Sequence, residues 1–243
     1  MVSGEGRSDI GGGNSGQAIS TGDDFYKGPM TVLLERVLNR HLPYWIKQLP
    51  NSEPLNFAYV SHGYLKRQGK DSKLRFPSKD VAKGHLGEYK QAAELAKLSI
   101  TQECQLAVYF IDCDGKNEDK NEQSILRQNR VNAIKKGFTK GKALGVAMVP
   151  KPTSEAWLIC HCQTTPYNNC GQWETRLSGN DNCPDEQSAK KVLKGFTNMA
   201  YNDPRMVDIA HDVIVDRLNM PSFNQFRNDL KTVIRDVCGE VEE

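Results

Sequence analysis

The sequence predicts an α/β fold in which a parallel sheet is flanked by helices and followed by a helical C-terminal extension. Apolar strand-like runs alternate with helical segments up to residue 150, a pattern typical of parallel sheets covered by helices. Beyond residue 187, helical patterns recur with no strand between them. We therefore expect an α/β core over residues 1–162 and a loop and helical extension over residues 163–243 that packs on it.

Short apolar runs predict the strands of this sheet, at residues 1–3, 55–61, 106–111 and 144–149. The run at 106–111 is continuously apolar, as expected of an inner parallel strand. Residues 10–24 are rich in Gly, Ser, Asn and Asp, which predicts an exposed loop.

Apolar residues at helical spacing predict helices after Pro29 and over residues 83–99 and 119–138. The last of these is expected to bury Ile125, Val131, Ile134 and Phe138. Further helices are predicted at 188–200, 205–218 and 222–237.

Bulk composition limits the class of protein. The chain has 243 residues, of which 26% are charged, with a net charge of +2, so it is not a histone-like binder. The start of the sequence lacks the basic and apolar regions of a signal peptide. No window approaches the roughly 20 apolar residues that span a membrane. We expect a cytoplasmic protein with reduced thiols and no membrane partner.

Acidic residues follow the clearest strand. Asp112 and Asp114 are two positions apart, so both carboxylates can face one ion, and Gly115 allows the chain to turn away. Mg²⁺ prefers such oxygen ligands. A bare Asp-x-Asp also often begins a solvated loop.

Acidic residues follow two other strands as well. Glu5 lies between glycines after the first strand, and Glu155 follows the strand at 144–149, where Thr153 or Ser154 can cap a helix. Taken alone, Asp9 has an ordinary turn or helix-end role, and Glu155 complements a helix dipole. Acids after several strands at one sheet edge together predict a metal site.

Three segments, VSGEGRSD, YFIDCDG and PKPTSEAWLI, resemble the Toprim domain of topoisomerases, bacterial-type primases and nucleases of the overcoming-lysogenization-defect class. The sequence is most similar to small stand-alone Toprim-like proteins, some of them in phage-defence loci. The resemblance covers roughly residues 1–200 and implies a Rossmann-like Toprim sheet. The short first strand departs from the family pattern.

The resemblance implies that Glu5, Asp112 and Asp114 are catalytic and metal-binding residues, and that Asp9 and Glu155 help to hold a second metal ion. The expected cofactor is Mg²⁺ or Mn²⁺, with two ions bound. A lysine in a following helix is also used in the nuclease branch, and Lys190 or Lys191 is the nearest match. Glu5 is implied to be a general acid or base in topoisomerases.

Two further features concern binding. A basic segment with interleaved aromatic residues is a candidate nucleic-acid surface, although a solvated loop is an equal alternative. Its candidate nucleic-acid-binding residues are Lys66, Arg67, Lys70, Lys73 and Arg75. A cysteine cluster permits a zinc site, but buried free thiols are the favoured interpretation; it comprises Cys160, Cys162, Cys170 and Cys183.

These observations favour a Mg²⁺-dependent nuclease that acts on DNA or RNA, as the effector of a phage-defence system gated by a partner ATPase. The chain lacks a Gly-x-x-x-x-Gly-Lys-Ser/Thr motif of its own, so family analogy suggests an ABC-type partner. The alternative is a non-catalytic Toprim subunit that regulates or binds within an ATPase complex. A primase-like polymerase is a third and less favoured interpretation.

Overall fold

A central sheet organises the molecule. The computed structural model describes residues 1–14, 16–43, 46, 55–72, 81–113, 120–180 and 182–239. In these ranges the sheet has five strands, in the order β3 (Ile19–Thr21), β5 (Ala58–Val60), β1 (Val2–Gly4), β6 (Ala107–Phe110) and β7 (Gly145–Met148). Neighbouring strands are parallel except β3, which runs antiparallel to β5 at one edge. The predicted α/β class with a mostly parallel sheet is confirmed.

Helices cover both faces of this sheet. Side chains alternate along each strand, so Val108 and Phe110 join one buried cluster while Ala107 and Tyr109 join the other. One face is named the α8 face after helix α8 (Ala189–Thr197), which covers it. The other helices on this face are α2 (Pro29–His41), α6 (Glu155–Cys162), α9 (Met206–Asp212) and α10 (Pro221–Cys238). The opposite face is named the α3 face after helix α3 (His62–Asp71), which covers it together with α4 (Leu86–Thr101) and α5 (Lys120–Gly141).

The first loop of the chain is more ordered than its composition predicted. The glycine-rich stretch contains β2 (Gly11–Gly13), which pairs antiparallel with β4 (Phe25–Lys27), and it also contains β3. Gly11–Gly13 is buried throughout, so the prediction of an exposed loop was wrong for the start of the range 10–24, whereas Asn14, Gln17 and Asp23 are exposed as predicted. The backbone enters a second small sheet because these glycines have no side chains to be accommodated there.

Helix α5 confirms most of its predicted buried face. Val131, Ile134 and Phe138 are buried, but Ile125 is 62% exposed, so its predicted burial was wrong. Close packing with α4 fixes this orientation: a Cβ at Gly137 would lie only 2.4 Å from the Tyr89 carbonyl oxygen. The glycine brings the two helices together, and Ile125 lies outside that contact.

The C-terminal helices share the core of the α8 face. Trp157 on α6 is fully buried, and its ring packs edge-on against Phe223 and stacks near Phe226, both on α10. Its indole N–H donates to Ser222 Oγ at 2.8 Å. The predicted helices of this region are present: α8 and α9 are shorter than predicted, and α10 is slightly longer. A short helix α7 (Trp173–Arg176) is also present. The division of the chain at residue 162 stays a prediction.

None of the helices in the described ranges has both the length and the apolar character needed to cross a bilayer.

Candidate active site

Three loops meet where the parallel strands β1, β6 and β7 end. Glu5 comes directly after β1, Asp112 is the second residue after β6, and Glu155 is the first residue of the helix that follows β7. Because β6 lies between β1 and β7 and is parallel to both, these loops share one edge of the sheet. Ligand sites of open α/β sheets lie at this edge.

The loop after β1 separates Glu5 from Asp9. Glu5 is exposed, and its backbone N–H donates to the Phe110 carbonyl at 3.1 Å. Asp9 lies on the short helix α1 (Arg7–Ile10) and is only 7% exposed. Gly6 between them has φ of +84°, and a Cβ at that position would lie 2.1 Å from Asp9 Oδ2. A glycine is therefore required beside this carboxylate.

Asp9 is the centre of a hydrogen-bond network. The Ser154 hydroxyl donates to Asp9 Oδ1 at 2.6 Å, and the Tyr201 hydroxyl donates to the same oxygen at 2.5 Å. The Ser154 backbone N–H donates to Asp112 Oδ1 at 2.8 Å. Ser154 therefore ties the loops after β1, β6 and β7 together.

Ser154 precedes α6, where the sequence suggested a capping hydroxyl. Its side chain makes no capping hydrogen bond to the helix, so that role is not observed for Ser154. The hydroxyl bonds to Asp9 instead, because the residue is fully buried and the carboxylate is the stronger acceptor.

Glu155 is held in a buried environment. It is 2% exposed, and Oε2 has no hydrogen-bond partner among the described residues. Burial raises the pKa of Glu155 to about 6, with a further contribution from the negative charge of Asp9. Leaving a buried carboxylate oxygen without a partner costs free energy. Such oxygens are a feature of sites that receive a proton or a cation.

Burial and neighbouring groups act in opposite directions on the pKa of Asp9. Burial raises the pKa of Asp9, and hydrogen bonds from Ser154, Tyr201 and Ser8 oppose that effect, as does the positive charge of Lys190. Lys190 also acts to lower the pKa of Glu155. Its ammonium group therefore favours the ionised form of both carboxyls.

The two candidate lysines differ in their surroundings. Both are on α8, but Lys191 Nζ lies 2.7 Å from Asp185 Oδ1, at an exposed ion pair. Lys190 is the one whose charge acts on Asp9 and Glu155.

Tyr201 is a site residue that the sequence analysis missed. It lies 192 positions from Asp9 in the chain, and no recognisable motif adjoins it. Burial, and after it the negative charges of Asp9, Glu155 and Asp112, raise the pKa of its hydroxyl, so it stays a proton donor. A neighbouring lysine helix was the only sequence signal near it.

A second network supports Asp112 from the α3 face. Arg130 on α5 donates to the Asp112 backbone carbonyl, and its Nε lies 3.5 Å from Glu88 Oε1 on α4. His85 Nδ1 is 3.4 Å from the same Glu88 oxygen. The loop after β6 is thus held from both faces of the sheet.

The predicted metal ligands are only partly described. Asp114 lies outside the described residues, and Glu5 is exposed. Asp9 and Asp112 are joined through Ser154, and Glu155 follows Ser154 in the chain without joining that hydrogen-bond network. Among the described residues, no group of three or more His, Cys, Asp or Glu side chains is arranged to hold a metal ion.

The cysteine cluster does not assemble as a zinc site. Cys160 and Cys170 form a disulfide with a Cα–Cα distance of 5.1 Å, so the expectation of free thiols was wrong for this pair. Cys162 and Cys183 are free cysteines of intermediate burial. A four-thiolate site is therefore absent, because disulfide sulfurs are not thiolate ligands.

The basic segment lies on the other side of the sheet. Lys66, Arg67 and Lys70 are exposed on α3, whose buried residue Leu65 belongs to the core of the α3 face. Lys73 and Arg75 lie outside the described residues. None of the described contacts links the α3 cations to Asp9 or Glu155.

Comparison with known proteins adds no family to this description. No family model, curated protein or solved structure matches the chain.

Proposed function

We propose that this chain is a Mg²⁺-dependent phosphodiester hydrolase of the Toprim type, acting on DNA or RNA. One observation carries the proposal: Asp9, Asp112 and Glu155 come from loops after three parallel strands and gather around Ser154, with the charge of Lys190 acting on Asp9 and Glu155. Carboxylates and a cation at the carboxyl edge of such a sheet suit phosphoryl transfer.

The donor set fits a hard divalent cation. All candidate ligands are carboxylate oxygens, which Mg²⁺ and Mn²⁺ prefer. Glu155 Oε2 is buried without a partner among the described residues, and the charge of Asp9 disfavours ionisation of Glu155, so a cation would relieve both costs. Asp9, Asp112 and Glu155 do not by themselves form a three-ligand group, so the ion would be held by some of these carboxylates together with Glu5 and Asp114 as expected further ligands. A bound ion would supply Lewis-acid stabilisation of charge on the phosphoryl group.

The other side chains have supporting roles in this proposal. Tyr201 and Ser154 hold Asp9 in a fixed orientation through its Oδ1. Lys190 offsets the negative charge that increases on a phosphoryl group in the transition state. The buried positions of Asp9 and Glu155 exclude bulk water and strengthen these interactions.

A second candidate function is a regulatory or binding subunit of an ATPase complex. The observation in its favour is that Asp9 and Glu155 are both nearly inaccessible, at 7% and 2% exposure. A substrate phosphate must reach these carboxylates, so an isolated chain in this conformation would be restrained. Gating by an ABC-type partner in a phage-defence system would reconcile burial with catalysis.

The test is cleavage of DNA and RNA by the purified full chain with Mg²⁺ or Mn²⁺. We expect Asp112→Asn and Glu155→Gln to abolish cleavage, while Asp236→Asn, an equal change of charge at an exposed position of α10, leaves it intact. Cleavage that survives in both site variants would contradict the proposal. An inactive wild-type chain that still binds Mn²⁺ would favour the gated subunit.

A further inference from the structure

A lysine-lined pocket of about 340 Å³ opens beside the carboxylates. Its floor is contiguous with the candidate active site, because Tyr201 and Ser8 line it and both donate hydrogen bonds to Asp9. The described residues that line it include no acidic side chain; they are Ser8, Lys190, Lys191, Lys194, Ala200, Tyr201 and Asn202.

The cations of this pocket come from one helix. Lys190, Lys191 and Lys194 fall within two turns of α8, and positions 190 and 194 share a face. All of them are exposed. The ion pair of Lys191 with Asp185 is also exposed, at 46% and 82% of the side-chain surfaces, so an incoming anion can compete with it at little cost. The pocket is therefore positive.

We infer that this pocket binds an internal phosphate of the nucleic-acid strand, next to the phosphodiester that is cleaved. The inference rests on the proposed function and specifies how that site holds its substrate. Lysines and hydroxyls recognise phosphate oxygens, whereas base recognition uses aromatic platforms or base-edge contacts. Tyr201 is the aromatic residue in the lining, and its hydroxyl is already bonded to Asp9. Binding through the pocket is consequently independent of base sequence.

The experiment measures fluorescence anisotropy of labelled single-stranded DNA and RNA with the full chain, in EDTA to prevent cleavage. We expect Lys191→Gln and Lys194→Gln each to weaken binding roughly tenfold at 50 mM salt, and to reduce the slope of log K against log salt by about one. The loss should be the same for every sequence. Lys142→Gln is the matched control, since Lys142 is exposed just before β7, at the opposite edge of the sheet.

Two arms distinguish the source of the phosphate. Oligonucleotides with a 5′-phosphate and with a 5′-hydroxyl should lose equal affinity, and millimolar inorganic phosphate should compete weakly in wild type. A loss confined to 5′-phosphorylated strands would overturn the internal position in favour of a terminal phosphate. Unchanged affinity and salt slope in both lysine variants would overturn the pocket while active-site cleavage stands. A wild-type chain that neither binds nor cleaves would remove the proposed function as well.

Discussion

Helices α3 and α8 each present three cationic side chains to solvent, but on opposite faces of the sheet. Lys66, Arg67 and Lys70 project from α3, and Lys190, Lys191 and Lys194 from α8. Within the described part of the chain, the cations of α8 line a pocket with residues that contact Asp9. We therefore propose that the substrate binds on the α8 side, because the α8 cations share a pocket with residues that contact Asp9; the density of positive charge in the sequence does not by itself identify that side.

The position of α8 depends on the core beneath it. Ala189 and Leu193 anchor the helix in the cluster that also contains Trp157 and Phe223. Changes in that core should displace the α8 lysines, whereas changes on the α3 face should not. Variants of the two faces should therefore differ in their effects, from the largest expected change in free energy to the smallest.

Loss of the Trp157 side chain should have the largest effect. Trp157→Ala should lower the free energy of unfolding by about 3–5 kcal/mol, because it leaves a cavity between α6 and α10 and removes the indole N–H that donates to Ser222 Oγ. Urea unfolding followed by circular dichroism measures this change. Ile125→Ala, at a site 62% exposed on the α3 face, should change stability by less than about 0.5 kcal/mol. Equal losses in the two variants would contradict the assigned core.

Loss of the Lys190 charge on α8 should have the second-largest effect. Lys190→Gln should reduce kcat by about 10²–10³-fold, because its charge offsets negative charge at the site. Lys66→Gln on α3, which does not line the pocket beside Asp9, should change kcat far less. Steady-state kinetics at saturating substrate separates these effects. A larger kcat defect in the α3 variant would reverse the assignment of the two helices.

Glu155 makes stability depend on pH. Its folded-state pKa of about 6 lies above its ordinary value of 4.5, so the folded chain holds the proton more tightly than the unfolded chain. The resulting stabilisation is present below pH 4.5 and is lost as the pH rises through 6, by about 2 kcal/mol.

A divalent cation should oppose that loss, because it favours the ionised carboxylate. Mg²⁺ is therefore expected to raise the melting temperature more at pH 7 than at pH 5, as measured by scanning fluorimetry. Glu155→Gln should abolish the difference between the two pH values. A Mg²⁺ effect that is independent of pH in wild type would count against Glu155 as a ligand.

The smallest expected effect concerns the Tyr201 hydroxyl. Tyr201→Phe removes one donor to Asp9 Oδ1 and leaves the ring in place, which should cost about 1–2 kcal/mol of stability. Because that hydrogen bond lowers the pKa of Asp9, the acid limb of the pH–rate profile should move to higher pH. Tyr26→Phe, at a tyrosine 42% exposed, should leave the profile in place. An unmoved acid limb in Tyr201→Phe would remove its positioning role.

The sheet edge could be predicted from sequence because its signals are local. An apolar run followed by Asp112, and a strand followed by Glu155, fix which end of each strand carries the acids, and parallel pairing brings those ends together. The burial of Val131, Ile134 and Phe138 followed from their helical spacing and is confirmed.

The remainder of the site depends on contacts between distant parts of the chain. Tyr201 reaches Asp9 across 192 positions, and nothing in its neighbours indicates that contact. The Ser154 hydroxyl bonds to Asp9 rather than capping α6, because a buried carboxylate lies within reach only in the folded chain. The exposure of Ile125 is decided by how Gly137 seats α5 against α4, which helical periodicity does not specify.

The most direct test of the carboxylate site is an electron paramagnetic resonance titration of the full chain with Mn²⁺, which counts bound ions by loss of the free-ion signal. We predict saturable binding in wild type and in Asp236→Asn, and its loss or marked weakening in Asp112→Asn and Glu155→Gln. Wild-type-like Mn²⁺ binding in both site variants, or no binding in wild type, would contradict the account.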